Sequence, residues 1–568
     1  MLTCGGHIPL ALALATSKWG PTNRGAGRQQ PWERGAGCGA ELGGSGGCCV
    51  HPTPPEGPSV GGVKPYEAIP RDGANRWLNL YRLWRDGGFQ HFHHHMEKTF
   101  QKLGPIYRDR VGSYECVNVL LPRDAAQLFR AEGTFPRRMG IEAWSTHRQL
   151  RNHQKGLFLL NGPAWRSDRL ALNPALLSPA AGRHFAWLLD VVAQDFVRGL
   201  RRRLERSPGG ALTLDLHPLI FRFTLEASTY ALYGERLGLL GGGLTAGGAE
   251  KFLAALETML STTLPLIFVP PSLLRRINPP LWRDHLAAWD VIFQHADNSI
   301  QRICRELAQN GGEGLKLGGG QPQDPLPNKF WGRHGGPISG GGKAGGLLGE
   351  LLLQGQLPLG SVKANVTEFT AGGVDTTAMP LLFTLLELGR NPGVQRELRE
   401  ELLGGPQKKG VPGPPPQPRP LPELLGELPL LRAAIKETLR LYPVGITVQR
   451  YPATDVVLHN YHVPAGTLCQ VALYALGRSP EVFSNPQDYD PKRWLLKEAT
   501  SSFRAVAFGF GARQCIGRRL AEVEMMLFLG HVLRNFTVEA VSTEDIPTVF
   551  RFILMPEKPP LLTLRALD

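Results

Sequence analysis

The 568-residue chain has no stretch of 18 or more consecutive apolar residues, so an uninterrupted membrane-spanning run is missing. Its longest early apolar run, Ile8 to Ala15, is too short to span a bilayer. No basic segment precedes that run, which makes it a poor signal peptide. Acids are absent from the first 32 residues, where Lys18, Arg24 and Arg28 stand. That is the bias of an organelle transit peptide, although no amphipathic period accompanies it. Cysteine is sparse: four of the eight (Cys4, Cys38, Cys48, Cys49) lie in a Gly-rich head, and Cys116, Cys304, Cys469 and Cys515 are widely scattered. This pattern excludes a disulfide framework and fits a reducing compartment. No internal repeat is visible, which excludes a solenoid or propeller.

What is abundant is glycine and proline, 68 and 48 residues. Fifteen glycines fall in residues 1–62 and 14 in 311–346; the other 470 residues hold 39, an ordinary density. One large globular body is therefore expected from 63 to 568, after a disordered head at 1–62 that is either a transit peptide or a gene-model product. Two Gly/Pro-rich inserts, 311–346 and 404–420, are expected to be disordered as well. The first contains GGGKAGG, yet it is no phosphate loop. Pro337 stands where the first glycine is required, and Ala344 where Ser or Thr is. His93-His94-His95 reads as a solvated helix face, because adjacent residues cannot converge on one ion. The net charge is +14, and no nucleic-acid partner is expected.

From Pro65 onward the texture is mainly helical with small β-sheets. Hydrophobic periodicity predicts helices over 75–102, 183–206, 247–262, 281–309, 361–390, 391–404 and 427–441, and a last one over 512–533. Residues 106–121 read as a strand pair. The stretch 446–475 is β-like, with turn signals at His459-Asn460 and Pro464-Ala465-Gly466.

The strongest chemical signal is Phe508-Gly509-Phe510-Gly511-Ala512-Arg513-Gln514-Cys515-Ile516-Gly517. A cysteine at a helix N-terminus gains thiolate stability from exposed amides and the helix dipole. Gly511 can take a positive φ, Gly517 lets a flat ligand approach the backbone, and Arg513 can pair with an anionic group beside the sulfur. A lone cysteine in such a turn would read as a buried structural residue. This ten-residue constellation resembles the cysteine-ligand loop of the cytochrome P-450 superfamily, Phe-x-x-Gly-x-Arg-x-Cys-x-Gly, at all its fixed positions.

Three further motifs follow the family's order. Ala371-Gly372-Gly373-Val374-Asp375-Thr376-Thr377 puts two glycines and a Thr pair inside a helix, at a cost of about 1 kcal/mol per glycine. The resemblance makes Thr376 the proton-delivery residue and Asp375 its acidic neighbour. Glu437-Thr438-Leu439-Arg440, with Pro491-Lys492-Arg493-Trp494 downstream, implies a buried Glu437–Arg440–Arg493 network of structural role. Trp165-Arg166-Ser167-Asp168-Arg169 places Trp165 and Arg169 on one helix face. The resemblance implies haem b with Cys515 as axial ligand, and propionates held by Trp165, Arg169, Arg138, Arg450 and Arg513.

The chain is most similar to the mitochondrial branch, and within it to the steroid 11β-hydroxylase/aldosterone synthase group. That similarity implies hydroxylation of 11-deoxycorticosterone or 11-deoxycortisol at C11, with C18 a further position. It also implies electrons from NADPH through a reductase and a small acidic [2Fe-2S] ferredoxin, docked by Arg432 and Lys436. The steroid site carried over comprises Trp144, Arg148, Phe158, Trp289, Glu368, Ala371, Phe552 and Ile553, with Leu260 where relatives can have an aromatic. The expected location is the matrix side of the inner membrane. Leu264–Trp282, apolar and Pro-broken, is expected to dip into the bilayer beside the substrate entrance. Within the branch, the competing readings are cholesterol side-chain cleavage and sterol side-chain hydroxylation. A competitor of another class is a haem-thiolate protein without monooxygenase activity, against which Thr376 and Asp375 argue.

Overall fold

The computed structural model describes residues 62–73, 75–241, 246–309, 346–404, 419–496 and 503–567. The expectations for the Gly-rich head and the two inserts lie outside these residues, apart from their margins. From Val63 onward the chain clusters as one unit.

Its centre is a helix pair, Leu359–Gly373 and Asp375–Arg390, in which nearly every side chain from Asp375 to Leu388 is buried. The pair is long and apolar enough to cross a membrane, but 78% of its most apolar 18-residue stretch is buried in protein, so it is a core element. Around it pack His217–Tyr233, Pro429–Leu441 and Arg518–Asn535. The helix His217–Tyr233 escaped the periodicity reading because eleven of its residues are buried, which erases the polar stripe. Pro179–Glu205, Ala246–Ile267, Pro280–Gln309 and Pro392–Leu402 match the predicted spans closely.

Two helix predictions are corrected by a break within the predicted span. Residues 75–102 form two helices, Arg76–Arg85 and Phe92–Leu103, because the chain turns through Gly87 at φ 64°. Residues 361–390 are interrupted at Val374, directly after the glycine pair.

A five-stranded sheet joins Arg71–Asp72, Ile106–Val111, Tyr114–Val119, Cys469–Ala472 and Thr447–Arg450, in that order. The His459-Asn460 signal closes the hairpin Val456–Leu458/Tyr461–Val463, both turn residues having positive φ, as a two-residue primed turn requires. A C-terminal sheet pairs Leu561–Ala566 with both Ala211–Asp215 and Phe536–Ala540. The His triplet is not a solvated face: His93 is buried with Nε2 2.9 Å from Thr548 Oγ1, and burial pulls its pKa down to about 3.

The membrane-dipping segment also differs from expectation. Leu264, Leu266, Phe268, Leu274 and Trp282 are all buried in protein, Phe268 against Phe89, Phe92 and Tyr114. Its prolines do not stop a helix from reaching Ile267; they turn the chain by 113° into Pro271–Ile277 and fold the apolar side chains inward.

Candidate active site: a cysteine loop beside four arginines

The cysteine loop is closed by its own backbone. Gly511 sits at φ 70°, a conformation L side chains rarely adopt, and a Cβ there would press on the Glu132 carboxylate. The Cys515 N–H donates to the Phe508 carbonyl at 2.8 Å. With Gln514 extended, the helix cannot begin at Ala512 as predicted; it starts at Arg518, with Gly517 as N-cap. Cys515 therefore lies just ahead of the helix, and its side chain is accessible. Burial of the surrounding pocket pushes its thiol pKa up, while the Gly517 N–H and the guanidiniums of Arg169, Arg138 and Arg518 oppose that shift. A Cβ at Gly517 would touch the sulfur at 3.9 Å, so a larger side chain would crowd it.

Four arginines converge on this loop. Arg169, buried beside Trp165 on Gly162–Leu177, donates to the Gln514 carbonyl at 2.8 Å. The Arg513 guanidinium lies 4.8 Å from the Trp165 ring and donates to the carbonyls of Pro136 and Leu160 and to Asn161 Oδ1. Arg138 donates to the Phe158 carbonyl and covers the Phe158 ring at 3.9 Å. Arg450 donates to the Phe510 carbonyl at 3.0 Å. Burial, followed by repulsion from Arg138, Arg450 and Arg169, pulls the Arg513 pKa down to about 8. The Nε atoms of Arg169 and Arg513 are buried without a hydrogen-bond partner among the described residues. So much cationic charge beside one thiol calls for an anionic ligand.

The break in the central helix leaves two of its positions uncovered. Gly372 and Thr376 are accessible while Ala371, Val374, Asp375 and Thr377 are buried, and a Cβ on Gly372 would meet nothing within 4 Å. The Thr376 hydroxyl donates back to the Gly372 carbonyl. Behind it, Asp375 Oδ2 is buried and unpartnered, and burial, helped by the Glu257 charge, pushes its pKa up to about 7. Its stabilising contribution is then complete below the ordinary carboxylate value of about 4 and lost as pH rises toward 7. Thermal melts should show Asp375→Asn gaining on the parent between these pH values and levelling above them. A pH-independent difference would contradict the buried-acid assignment.

The expected steroid residues divide into groups. Trp144 is a hub, its ring 5.3 Å from Phe158, 4.7 Å from Trp289 and 5.5 Å from Phe552, with its indole N–H on Thr263 Oγ1. Arg148, 1% exposed, stacks on Trp289 at 3.7 Å and keeps Nε and Nη2 unpartnered. Ala371 and Ile553 are buried, as is Leu260, whereas Phe158 is 39% exposed. Phe552 holds a positive φ of 68°. Glu368 acts on the backbone: its two oxygens accept the Gly156 and Phe158 N–H groups at 2.9 and 2.8 Å. Asn365, one turn earlier, accepts the Leu157 N–H and donates to Asp168. The central helix thus shapes the loop that carries Phe158.

Away from the cleft, Glu437 is fully buried and receives Arg440 Nε at 2.9 Å, Arg493 Nε at 2.9 Å and Trp494 Nε1 at 2.8 Å. Arg432, exposed, and Lys436, half-buried, stand one turn apart on the outer face of the same helix, near Arg518.

The cytochrome P450 family model matches residues 70–564. The chain belongs to the cytochrome P450 family. Cytochrome P450 11B, mitochondrial, of Aquarana catesbeiana is 52% identical over 516 residues, 91% of this chain and 92% of its own. Cytochrome P450 11B1, mitochondrial, of Ovis aries is 48% identical over 89% of this chain and 93% of its own. Cytochrome P450 11B2, mitochondrial, of Mus musculus is 45% identical over the same shares. The residues present fit the P450 haem: one accessible thiol, arginine nitrogens without a hydrogen-bond partner among the described residues for carboxylates, and open space over Gly372 in the central helix. Among the described residues no cluster of three His, Cys, Asp or Glu could hold a metal ion. A single sulfur ligand suits iron already carried by a macrocycle.

Two residues at this P450 site escaped the sequence reading. Asn161 bridges Arg138, through its backbone N–H and carbonyl, and Arg513. Asn161 gave no local signal for this role, since its partner Arg513 is 352 positions away. Glu132, paired with Arg450 at 2.7 Å, left no signal, since its partner is 318 positions away.

Proposed function

We propose that this chain is a mitochondrial haem-thiolate monooxygenase that hydroxylates 11-deoxycorticosterone or 11-deoxycortisol at C11, with C18 as a further position. The observation that carries this reading is the Cys515 loop set among Arg138, Arg169, Arg450 and Arg513, in a chain 43–52% identical to mitochondrial P450 11B proteins. Bound haem supplies O2 activation and oxygen insertion into an unactivated C–H bond. The protein's share is to hold, orient and deliver protons. Cys515 would ligate the haem iron, while Trp165, Arg169, Arg138, Arg450 and Arg513 would hold the propionates. Each turnover consumes substrate, O2, two electrons and two protons, and yields the alcohol and water. Thr376 passes the protons, with Asp375 as the nearby acid whose pKa suits transfer near neutrality.

The aromatic wall of Trp144, Trp289, Phe158 and Phe552, with Ala371 and Ile553, suits a flat, rigid, weakly polar ligand. Arg148 supplies a polar anchor, and Glu368 is a positioning residue for Phe158. Arg432 and Lys436 steer an acidic [2Fe-2S] ferredoxin, reduced by its NADPH-dependent reductase, so turnover should slow with salt. The decisive experiment is product analysis with ferredoxin, reductase and NADPH, offering 11-deoxycorticosterone and cholesterol separately. The 11-hydroxylated product supports the reading; side-chain-cleaved or side-chain-hydroxylated sterol would replace it with the branch's other chemistry. No product from either, in a haem-loaded chain, would leave a non-monooxygenase.

Monotopic contact with the inner membrane, on the matrix side, belongs to the same reading. With Phe268 and Leu274 committed to the core, the contact falls to exposed Leu78, Tyr81 and Ile277. Vesicle flotation should weaken when these three become serine. Unchanged flotation would reject these contacts.

A further inference from the structure

Four guanidiniums gather at the cysteine loop, and among the described residues one carboxylate, Glu132, is ion-paired with them. Glu132 follows the helix Pro122–Arg130; its side chain is 11% exposed and that of Arg450 3%. Oε2 accepts Arg450 Nε at 2.7 Å, while Oε1 faces Gly511 at the turn before the cysteine. The remaining nitrogens of Arg450 donate to the carbonyls of Gln449 at 2.8 Å and Phe510 at 3.0 Å. The guanidinium also lies 5.0 Å from the Phe129 ring, which contacts Phe503 and Phe510. The Glu132 charge partly offsets the repulsion acting on Arg513. Geometry and charge therefore meet in one side chain.

We propose that Glu132 is a positioning residue of the haem site, acting through Arg450. It fixes the guanidinium that holds the Phe510 carbonyl, and it sets the net charge of the arginine cluster facing the propionates. The proposal rests on the haem-thiolate reading. A negative charge at this place favours ferric over ferrous haem, and the Arg450 clamp resists opening of the loop.

The test uses the full haem-loaded chain. Glu132→Gln keeps the shape and removes the charge, so its ferric/ferrous midpoint potential should rise. Haem transfer to apomyoglobin should accelerate about tenfold, the equivalent of one weakened charge-assisted hydrogen bond. Glu132→Asp keeps the charge and loses the reach, so it should return the potential to the parent value while haem release stays fast. A merely structural role would not separate the two readouts. Parental potential and parental haem release in Glu132→Gln would overturn the proposal, as would Glu132→Asp matching Glu132→Gln in potential. A parent chain without a thiolate-type ferrous–carbonyl band would overturn the underlying reading and this proposal with it.

Discussion

Glu437→Gln is expected to yield a chain that melts earlier and retains little haem. Glu437 accepts five protein hydrogen bonds, from Arg440 Nε and Nη2, Arg493 Nε, Trp494 Nε1 and the Asp490 N–H. Arg440, held in this way, binds the carbonyls of Gly477, Pro486 and Asp488. The segment leading to the cysteine loop thus hangs on one carboxylate. Breaking a buried, hydrogen-bonded ion pair costs about 3–5 kcal/mol, because the partner is left charged and unpaired. Total stability of a folded protein is about 5–15 kcal/mol, so this is a large share. Haem-to-protein ratio and thermal midpoint check it together; values matching the parent would show that the network is dispensable.

Thr376→Ala is the second large effect, and it should appear in coupling rather than folding. The side chain is accessible, and its one hydrogen bond among the described residues is the back-bond to the Gly372 carbonyl, so removing it strands no buried partner side chain. What disappears is the hydroxyl that the proposed proton path uses next to Asp375. Positioned proton transfer is worth roughly 10²–10⁴ in rate, so product formation should fall about a hundredfold. NADPH consumption should fall much less, so product per NADPH drops. An unchanged ratio would remove Thr376 from the proton path.

Local pattern carried much of this molecule and long-range partnership very little. The cysteine loop, the Glu437–Arg440 spacing and the His459-Asn460 turn were legible because their geometry lies within a few residues. The break at Val374 was half-legible: the glycines announced a defect, but periodicity on either side argued for one helix. The segment from Leu264 misled, since apolar side chains around prolines look alike whether they meet lipid or Phe89 and Phe92. Glu368 showed a similar limit. Its presence in the cleft was predicted, while its use as an acceptor for Gly156 and Phe158 depends on a loop 210 positions away. Glu132 was invisible for the same reason, as no local spacing links it to Arg450.

The claim on which everything rests is that Cys515 is the sulfur ligand of a haem. Ferrous–carbonyl absorption spectra of the full chain and of Cys515→Ser test it directly. The parent should show the red-shifted band of a thiolate-ligated haem, and Cys515→Ser should lose that band while keeping its far-ultraviolet circular dichroism. A Cys515→Ser chain that retained the red-shifted band would contradict the assignment, and with it the catalytic site described around that sulfur.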